Sequence, residues 1–154
     1  MLVLAGALSS VLAIAADTPD AAQLDQAFQR SSLQIATPDA RLHPFNIWIA
    51  DTNERRARGL MFVRQLDADA GMLFIYPAAQ PIAMWMKNTY IPLDMVFVDR
   101  KGVVTSVAHD TEPLSERTIP SNGPAWAVVE LNAGAAAAIG LEAGDRVRHS
   151  IFGP

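Results

Sequence analysis

Three polar side chains that could bind a ligand lie inside one of the most apolar parts of the chain. Lys87, one of two lysines among the twelve basic residues, is followed directly by Asn88 and Thr89. An ammonium, an amide and a hydroxyl group can together hold an anionic or carbonyl-bearing ligand at the mouth of a pocket. The alternative is a structural role, in which Lys87 pairs with Asp94 and steadies the loop at Pro92.

Two carboxylates, Asp94 and Glu130, also stand within apolar runs. A buried carboxylate is costly unless it is paired, and two carboxylates whose pKa values are driven apart can serve as general acid and general base. One hypothesis is therefore a hydrolase that uses Asp94 and Glu130. In the structural alternative, Asp94 accepts backbone N–H bonds around Pro92, and Glu130 meets Arg55 or Arg58.

Several arginines lie earlier in the chain, in a short segment with helical character. Arg55 and Arg58 are three positions apart, so they share one face of a helix and could clamp an anion. A solvated helix face balanced by Asp51 and Glu54 is the alternative. We predict that a small anionic or polar ligand, or a protein partner, binds at a patch drawn from both regions. The predicted patch consists of Arg55, Arg58, Lys87, Asn88, Thr89 and Asp94.

Methionine is concentrated in the same part of the chain, since five of the six methionines fall between residues 61 and 95. Met84 and Met86 flank Trp85, and their thioether sulfurs could hold Cu(I) beside a cation–π wall. The alternative is that these flexible side chains fill gaps in the core. The histidines lack the spacing of metal ligands, and no phosphate loop or dinucleotide fingerprint occurs, so no other metal and no cofactor is predicted.

The composition narrows the classes of protein to which the chain can belong. It has 154 residues, 12 basic against 16 acidic, and a formal net charge of −4. Such a chain has no surplus of cations from which to build a broad basic surface, so we predict no nucleic-acid partner. The absence of cysteine excludes disulfides, thiolate nucleophiles and cysteine-ligated zinc.

The N-terminal residues resemble a leader sequence. Residues 1–16 contain no charged side chain and close with Ala13, Ile14 and Ala15, a small-x-small pattern that signal peptidase accepts. Because a membrane-spanning helix needs about 20 apolar residues, no permanent membrane span is predicted. We predict a cleaved signal peptide and a periplasmic or secreted protein, with a buried N-terminal helix as the alternative. Residues 17–32 are predicted to form a helix or a tether.

Further along the chain the apolar residues alternate with a period near two, which is typical of strands with one buried face. We predict a single β-rich domain over residues 33–154. Its seven predicted strands are 45–50, 71–76, 83–88, 93–99, 103–108, 125–131 and 145–152. The turn that ends at Gly102 joins the strands on either side of it as an antiparallel hairpin.

Two short helices are predicted between the strands. Asp51 caps the first, which ends before Gly59, and Asn132 caps the second, which ends at Gly140. Many short strands with turn residues between them indicate a mainly β, or α+β, fold. We therefore predict a single compact antiparallel β-barrel or β-sandwich with one to three short helices.

Several sequence blocks resemble, in order and spacing, a bacterial and archaeal family known as domain of unknown function 192. The blocks are ERRARGLM at 54–61, GMLF at 71–74, WMKNT at 85–89, IPLD at 91–94, ELNAG at 130–134 and GD at 144–145. The resemblance runs from about Leu33 to Phe152. Met84 departs from the family pattern, in which an aromatic residue is more usual before the tryptophan. The resemblance implies a small, mainly β domain, often exported, without an established activity.

Overall fold

A computed structural model describes residues 19–153, so the predicted signal peptide at 1–16 lies outside the described residues. Within this range the chain forms three short helices and seven strands. In chain order they are α1 (Pro19–Ala27), β1 (Gln29–Ala36), β2 (Leu42–Ala50), α2 (Asn53–Arg58), β3 (Ala70–Met84), β4 (Leu93–Val98), β5 (Val104–Ala108), β6 (Ile119–Asn132), α3 (Ala135–Ala138) and β7 (Arg146–Arg148), followed by a 3-10 turn at Ser150–Phe152.

The strands form one sheet in the order β5-β4-β6-β3-β2-β1-β7. A bridge between Val103 and Arg146 links the two ends, so the sheet is a nearly closed barrel. The predicted mainly β fold with short helices is therefore confirmed. The expectation that all strands are antiparallel is wrong for one pair, since β2 and β3 run parallel. Parallel neighbours need a long crossover, and residues 51–69, which include α2, supply it.

Strand β1 was not predicted from the sequence. Residues 29–32, assigned there to a helix or tether, are polar, and helix α1 ends at Ala27. The strand forms because β2 and β7 pair with its two edges, while Leu33 and Ile35 supply its buried face. A strand stabilised mainly by its neighbours has little hydrophobic alternation of its own.

Strand β3 joins two segments that were predicted as separate strands. Its pairing with β6 is interrupted between Ile75 and Gln80, so one long irregular strand replaces the predicted 71–76 and 83–88. It ends at Met84, which leaves residues 85–88 in a loop. The final predicted strand, 145–152, is also shorter and ends in the 3-10 turn.

Helix α2 begins one residue later than predicted. Thr52, not Asp51, is its N-cap, because the Thr52 hydroxyl accepts a hydrogen bond from the Arg55 backbone N–H at 3.2 Å. The predicted end at Gly59 is confirmed, with a φ of 48°. A Cβ at Gly59 would lie 3.0 Å from the Phe74 ring, so glycine also lets the helix end press onto the sheet.

Apolar side chains pack on both faces of the sheet. The inner cluster draws on all seven strands, with Ile35, Ile47 and Val129 among its members, and fills the barrel. The outer cluster lies on strands β2, β3, β4 and β6, where α1 and residues 60–66 cover it. Neighbouring residues of one strand therefore point into two different buried regions.

Candidate ligand-binding site

Glu130 is a buried carboxyl that has no hydrogen-bond or ion-pair partner among the described residues. In the sheet it lies opposite Met72 of β3 and Met95 of β4, on the face covered by the outer cluster. Only 4% of its surface is exposed. Among residues 19–153 no group donates a hydrogen bond to its carboxyl, and no basic side chain forms an ion pair with it. The predicted pairing with Arg55 or Arg58 is therefore wrong.

Glu130 lines a cavity of roughly 90 Å³ between the sheet, helix α2 and the loop after β3. A cavity of this size has room for several water molecules or a small organic group. Its lining includes the apolar side chains of Leu60, Met61, Phe74 and Met84, and its basic lining residues are Arg56, Arg58 and Lys87. The cavity thus combines a buried acid, several apolar side chains and three cations.

Burial sets the protonation state of this acid. Loss of solvation raises the pKa of Glu130 to about 8, because its carboxylate form has no compensating hydrogen bond. At neutral pH the carboxyl is therefore mainly protonated, and its O–H can donate a hydrogen bond to a ligand. Burial likewise raises the pKa of the Tyr76 hydroxyl, which donates to the Met84 sulfur at 3.4 Å.

Arg56 is held in the cavity wall. Its guanidinium donates to the backbone carbonyls of Asp51 and Ile75, at 2.8 and 2.6 Å, and lies 5.2 Å from the centre of the Tyr76 ring. These contacts tie the end of helix α2 to strand β3. Arg56 therefore shapes the cavity and contributes positive charge there.

Arg58 and Lys87 are less constrained. Arg58 is exposed and contacts the Phe28 ring face at 5.4 Å, with no ion pair within the described chain. Lys87 lies 5.2 Å from the Trp85 ring centre and forms an exposed ion pair with Glu116 at 3.1 Å. The predicted pairing of Lys87 with Asp94 is therefore wrong. Lys87 can shift toward an anion at small cost, because an exposed ion pair contributes little, and exposed Arg58 has no ion pair in the described chain to break.

The structure brings together three of the six residues of the predicted patch. Those that line the cavity are Arg58, Lys87 and Thr89. Arg55 instead pairs with Asp51 at 2.8 Å, as in the alternative of a helix face balanced by acids. Asn88 is a neighbour of the cavity without lining it; its carbonyl accepts the Phe62 backbone N–H at 2.9 Å, which holds two loops together.

Asp94, the sixth residue of the patch, is fully buried elsewhere. Its two oxygens accept backbone N–H bonds from Asp110 and Ala136, both at 2.9 Å. Residue 136 is in the first turn of α3, so Asp94 caps this helix. The predicted cap, Asn132, instead donates to the carbonyls of Leu66 and Asp67. The structural alternative, in which Asp94 accepts backbone N–H bonds, is therefore confirmed, but the donors are Asp110 and Ala136 and not the loop at Pro92.

Asp94 and Glu130 cannot form a catalytic pair. In the antiparallel pairing of β4 with β6, Met95 lies opposite Glu130 and Asp94 lies opposite Leu131. Because successive side chains of a strand point to opposite faces, the two carboxyl groups lie on opposite sides of the sheet. The hydrolase hypothesis, which needs both groups at one substrate, is therefore wrong in this form.

The methionine sulfurs have separate hydrogen-bond partners. The Tyr76 hydroxyl donates to Met84, whereas the Thr111 hydroxyl donates to Met86 at 3.1 Å. Of Met84 and Met86, only Met84 lines the cavity. Within residues 19–153 no cluster of His, Asp or Glu side chains is suited to a metal ion. The copper hypothesis thus gains no support from the geometry.

Sequence reasoning missed two residues of the cavity, Arg56 and Tyr76. Tyr76 shares the alternation of Met72 and Phe74 along β3, a signal that places it on the face of Glu130 once the two strands are paired. Arg56 had no such signal, because the faces of a six-residue helix are defined only by what it packs against. Which of Arg55 and Arg56 lines the cavity therefore depends on how helix α2 packs in the tertiary structure.

A family model for domain of unknown function 192, described as an uncharacterized ACR, matches residues 34–149. No curated protein matches the chain. The chain is similar to the crystal structure of a candidate transcription regulator from Sinorhizobium meliloti 1021, with 37% identity, a TM-score of 0.77, and 79% of this chain and 94% of that chain covered. It is also similar to a protein of unknown function from Novosphingobium aromaticivorans DSM 12444, with 34% identity, a TM-score of 0.76, and 79% and 86% covered.

Proposed function

Because the chain belongs to the uncharacterised family domain of unknown function 192, we propose a function from its cavity: the domain binds a small organic anion beside Glu130. The observation that carries this proposal is an acid only 4% exposed, without a hydrogen-bond partner in residues 19–153, that faces a cavity lined by three basic residues. A buried polar group without a partner costs about 1–3 kcal/mol, and a ligand oxygen would remove that cost.

The class of ligand follows from the three kinds of surface around the cavity. A protonated Glu130 is a hydrogen-bond donor, which favours an acceptor such as a carboxylate oxygen. Arg58 and Lys87 compensate the negative charge of that group, while Leu60 and Phe74 favour a short hydrocarbon portion. A short-chain carboxylate meets all three requirements and suits a cavity of roughly 90 Å³.

The protonation of Glu130 makes this binding depend on pH. Below its pKa of about 8 the carboxyl is neutral and donates to the ligand. Above that pKa a buried carboxylate would repel the anion, so affinity should fall by up to tenfold for each further pH unit. In Glu130→Gln the neutral amide still donates but does not titrate, so this decrease should disappear.

The proposal is tested by titrating the protein with acetate, butyrate and benzoate at about pH 6, using calorimetry and thermal unfolding. At least one of these should raise the melting temperature and bind measurably. Glu130→Ala should weaken that binding more than tenfold, and Arg58→Gln roughly threefold to tenfold. Arg64→Gln is the matched control, because Arg64 stacks 5.2 Å from the Tyr90 ring without lining the cavity.

Two results would contradict ligand binding at this cavity. One is that none of these anions protects the wild-type protein. The other is that Glu130→Ala binds as tightly as wild type, which would place the anion elsewhere on the surface. Equal losses in Arg58→Gln and Arg64→Gln would mean that only the overall charge matters.

We also propose that the protein is exported, since residues 1–16 have the pattern of a signal peptide. Within residues 19–153 no helix is both long and apolar enough to cross a membrane. Expression with the native N-terminus, followed by mass spectrometry of the protein outside the cytoplasm, tests this. A mature chain that begins near Ala16 or Asp17 is expected, and a full-length mass would contradict cleavage.

A further inference from the structure

The barrel closes at a seam between strand β7 and the turn that joins β4 to β5. Val147 of β7 donates its backbone N–H to the Gly102 carbonyl at 2.7 Å. Gly102 has a φ of +79°, and a Cβ there would lie only 2.4 Å from the Val147 carbonyl oxygen. The turn is thus pressed against β7, which fixes the neighbouring Lys101 beside this strand.

Three basic residues line one cavity at this seam. Lys101 of the turn lines a cavity of about 540 Å³ together with Arg146 and Arg148 of β7. The two arginines flank the buried Val147, so both project outward, roughly 7 Å apart along the strand. A chain of net charge −4 therefore places a quarter of its twelve cations around one cavity.

Among residues 19–153 no carboxylate forms an ion pair with any of these three cations. The nearest acids along the chain are used by the backbone: Asp99 accepts the N–H groups of Lys101 and Val103, and Asp145 accepts that of Glu142. One Arg146 nitrogen donates to the Lys101 carbonyl at 2.8 Å, which holds this guanidinium beside the turn.

We propose that the seam binds a phosphate monoester through Lys101, Arg146 and Arg148. A phosphate monoester carries nearly two negative charges at neutral pH and three terminal oxygens, which suit two guanidinium forks and one ammonium group. The Ser150 hydroxyl, on the wall of the same cavity, can donate to one of these oxygens. Like charges held together without counter-charges are unfavourable unless an anion joins them, and a dianion relieves most of that repulsion.

This seam shares no residue with the cavity at Glu130, so each proposal can be tested independently of the other. The same phosphate chemistry occurs in soluble metabolites and in the headgroup of phosphatidic acid. The source is distinguished by two probes: glycerol 3-phosphate in calorimetry, and vesicles of phosphatidylcholine with or without phosphatidic acid in a sedimentation assay. Binding to either phosphate probe supports the seam site and identifies its source.

The test compares variants of the three basic residues. The double variant Arg146→Gln/Arg148→Gln should weaken phosphate binding at least tenfold. The affinity of wild type should also fall more steeply with salt concentration than that of the double variant. Arg117→Gln, an exposed arginine paired with Glu112, is the matched control and should bind as wild type. Lys101→Gln changes a residue in an exposed turn and should weaken binding severalfold. This single variant replaces the double variant in the test if the double variant unfolds.

Three results would overturn the proposal. The first is that neither phosphate probe binds the wild-type protein. The second is that the Lys101 and arginine variants bind like wild type. The third is that Arg117→Gln loses as much affinity as the seam variants, because binding would then depend on total charge and not on this cavity.

Discussion

Asp94 and Glu130 are both buried carboxyls on adjacent strands, yet their surroundings are opposite. Asp94 accepts two backbone N–H bonds on the inner face, one of them from the first turn of α3. Glu130, on the outer face, has no partner in the described part of the chain and faces a cavity. A buried carboxyl with hydrogen-bond donors joins parts of the fold, whereas one without donors lowers the stability of the folded protein. This difference separates the structural acid from the candidate ligand-binding acid.

The largest effect is expected from removing the satisfied acid. Asp94→Ala leaves the buried Ala136 N–H and the part-buried Asp110 N–H without an acceptor and uncaps α3, so it should lower the unfolding free energy by roughly 3–5 kcal/mol. Denaturant unfolding measures this. If Asp94→Ala were as stable as wild type, the structural role assigned to Asp94 would be contradicted.

The pH dependence of stability tests the unsatisfied acid. Glu130 keeps its proton in the folded protein up to a pKa of about 8, whereas the unfolded chain releases it near 4.5. The folded state thus binds more protons between these values, so this group's contribution is complete below about 4.5 and is lost as the pH rises to about 8. The expected slope is about 1.4 kcal/mol per pH unit.

This slope is measured as the difference between wild type and Glu130→Gln in denaturant unfolding across that interval. The amide does not titrate, so subtraction isolates the contribution of the carboxyl. A difference that stays constant from about pH 5 to pH 8 would mean that Glu130 is solvated or paired in solution.

Replacing the unsatisfied acid with an apolar residue should act in the opposite direction to Asp94→Ala. Glu130→Leu removes a buried titrating group between Met72 and Met95, so it should raise the unfolding free energy by roughly 3 kcal/mol at pH 7, the cost that a slope of about 1.4 kcal/mol per pH unit accumulates above pH 4.5. The same variant should lose carboxylate binding. Greater stability together with lost binding is the expected outcome, and a destabilised Leu variant would contradict an unpartnered Glu130.

The smallest effect on stability is expected at the cavity rim. Glu116→Gln breaks the exposed ion pair with Lys87 and should change the unfolding free energy by less than about 0.5 kcal/mol. Because it frees the ammonium group, carboxylate affinity should rise about twofold to threefold. Calorimetry compares it with Glu112→Gln, the acid paired with Arg117 outside this cavity.

Much of the fold followed from local patterns. The turn that ends at Gly102 and the helix end at Gly59 need positive φ angles that glycine adopts easily, and both lie where the sequence predicted them. The parallel pairing of β2 with β3 and the polar strand β1 did not follow, because each depends on partners distant in the chain. The bulged β3 likewise appeared as two strands, since its irregularity is set by β6.

In the candidate site, too, some features could be predicted from the sequence and others depend on the tertiary structure. The sequence alone singled out Glu130, Asp94, Lys87 and Arg58, because charged side chains within apolar runs or in a short basic segment are visible without any structure. It could not decide which of them meet. Strand register places Glu130 and Asp94 on opposite faces, and packing of α2 turns Arg56 and Arg58, not Arg55, toward the cavity.

The physical reason is the range of the interactions involved. Composition, hydrophobic period and turn residues act over a few positions, so the mainly β class and the unusual polar residues are determined by the sequence itself. Whether a buried carboxyl has a partner depends on groups far apart in the chain. Asp94 accepts hydrogen bonds from the N–H groups of residues 110 and 136, whereas no group within residues 19–153 donates to Glu130. The tertiary structure therefore decided which buried acid supports the fold and which one faces a cavity that a ligand can occupy.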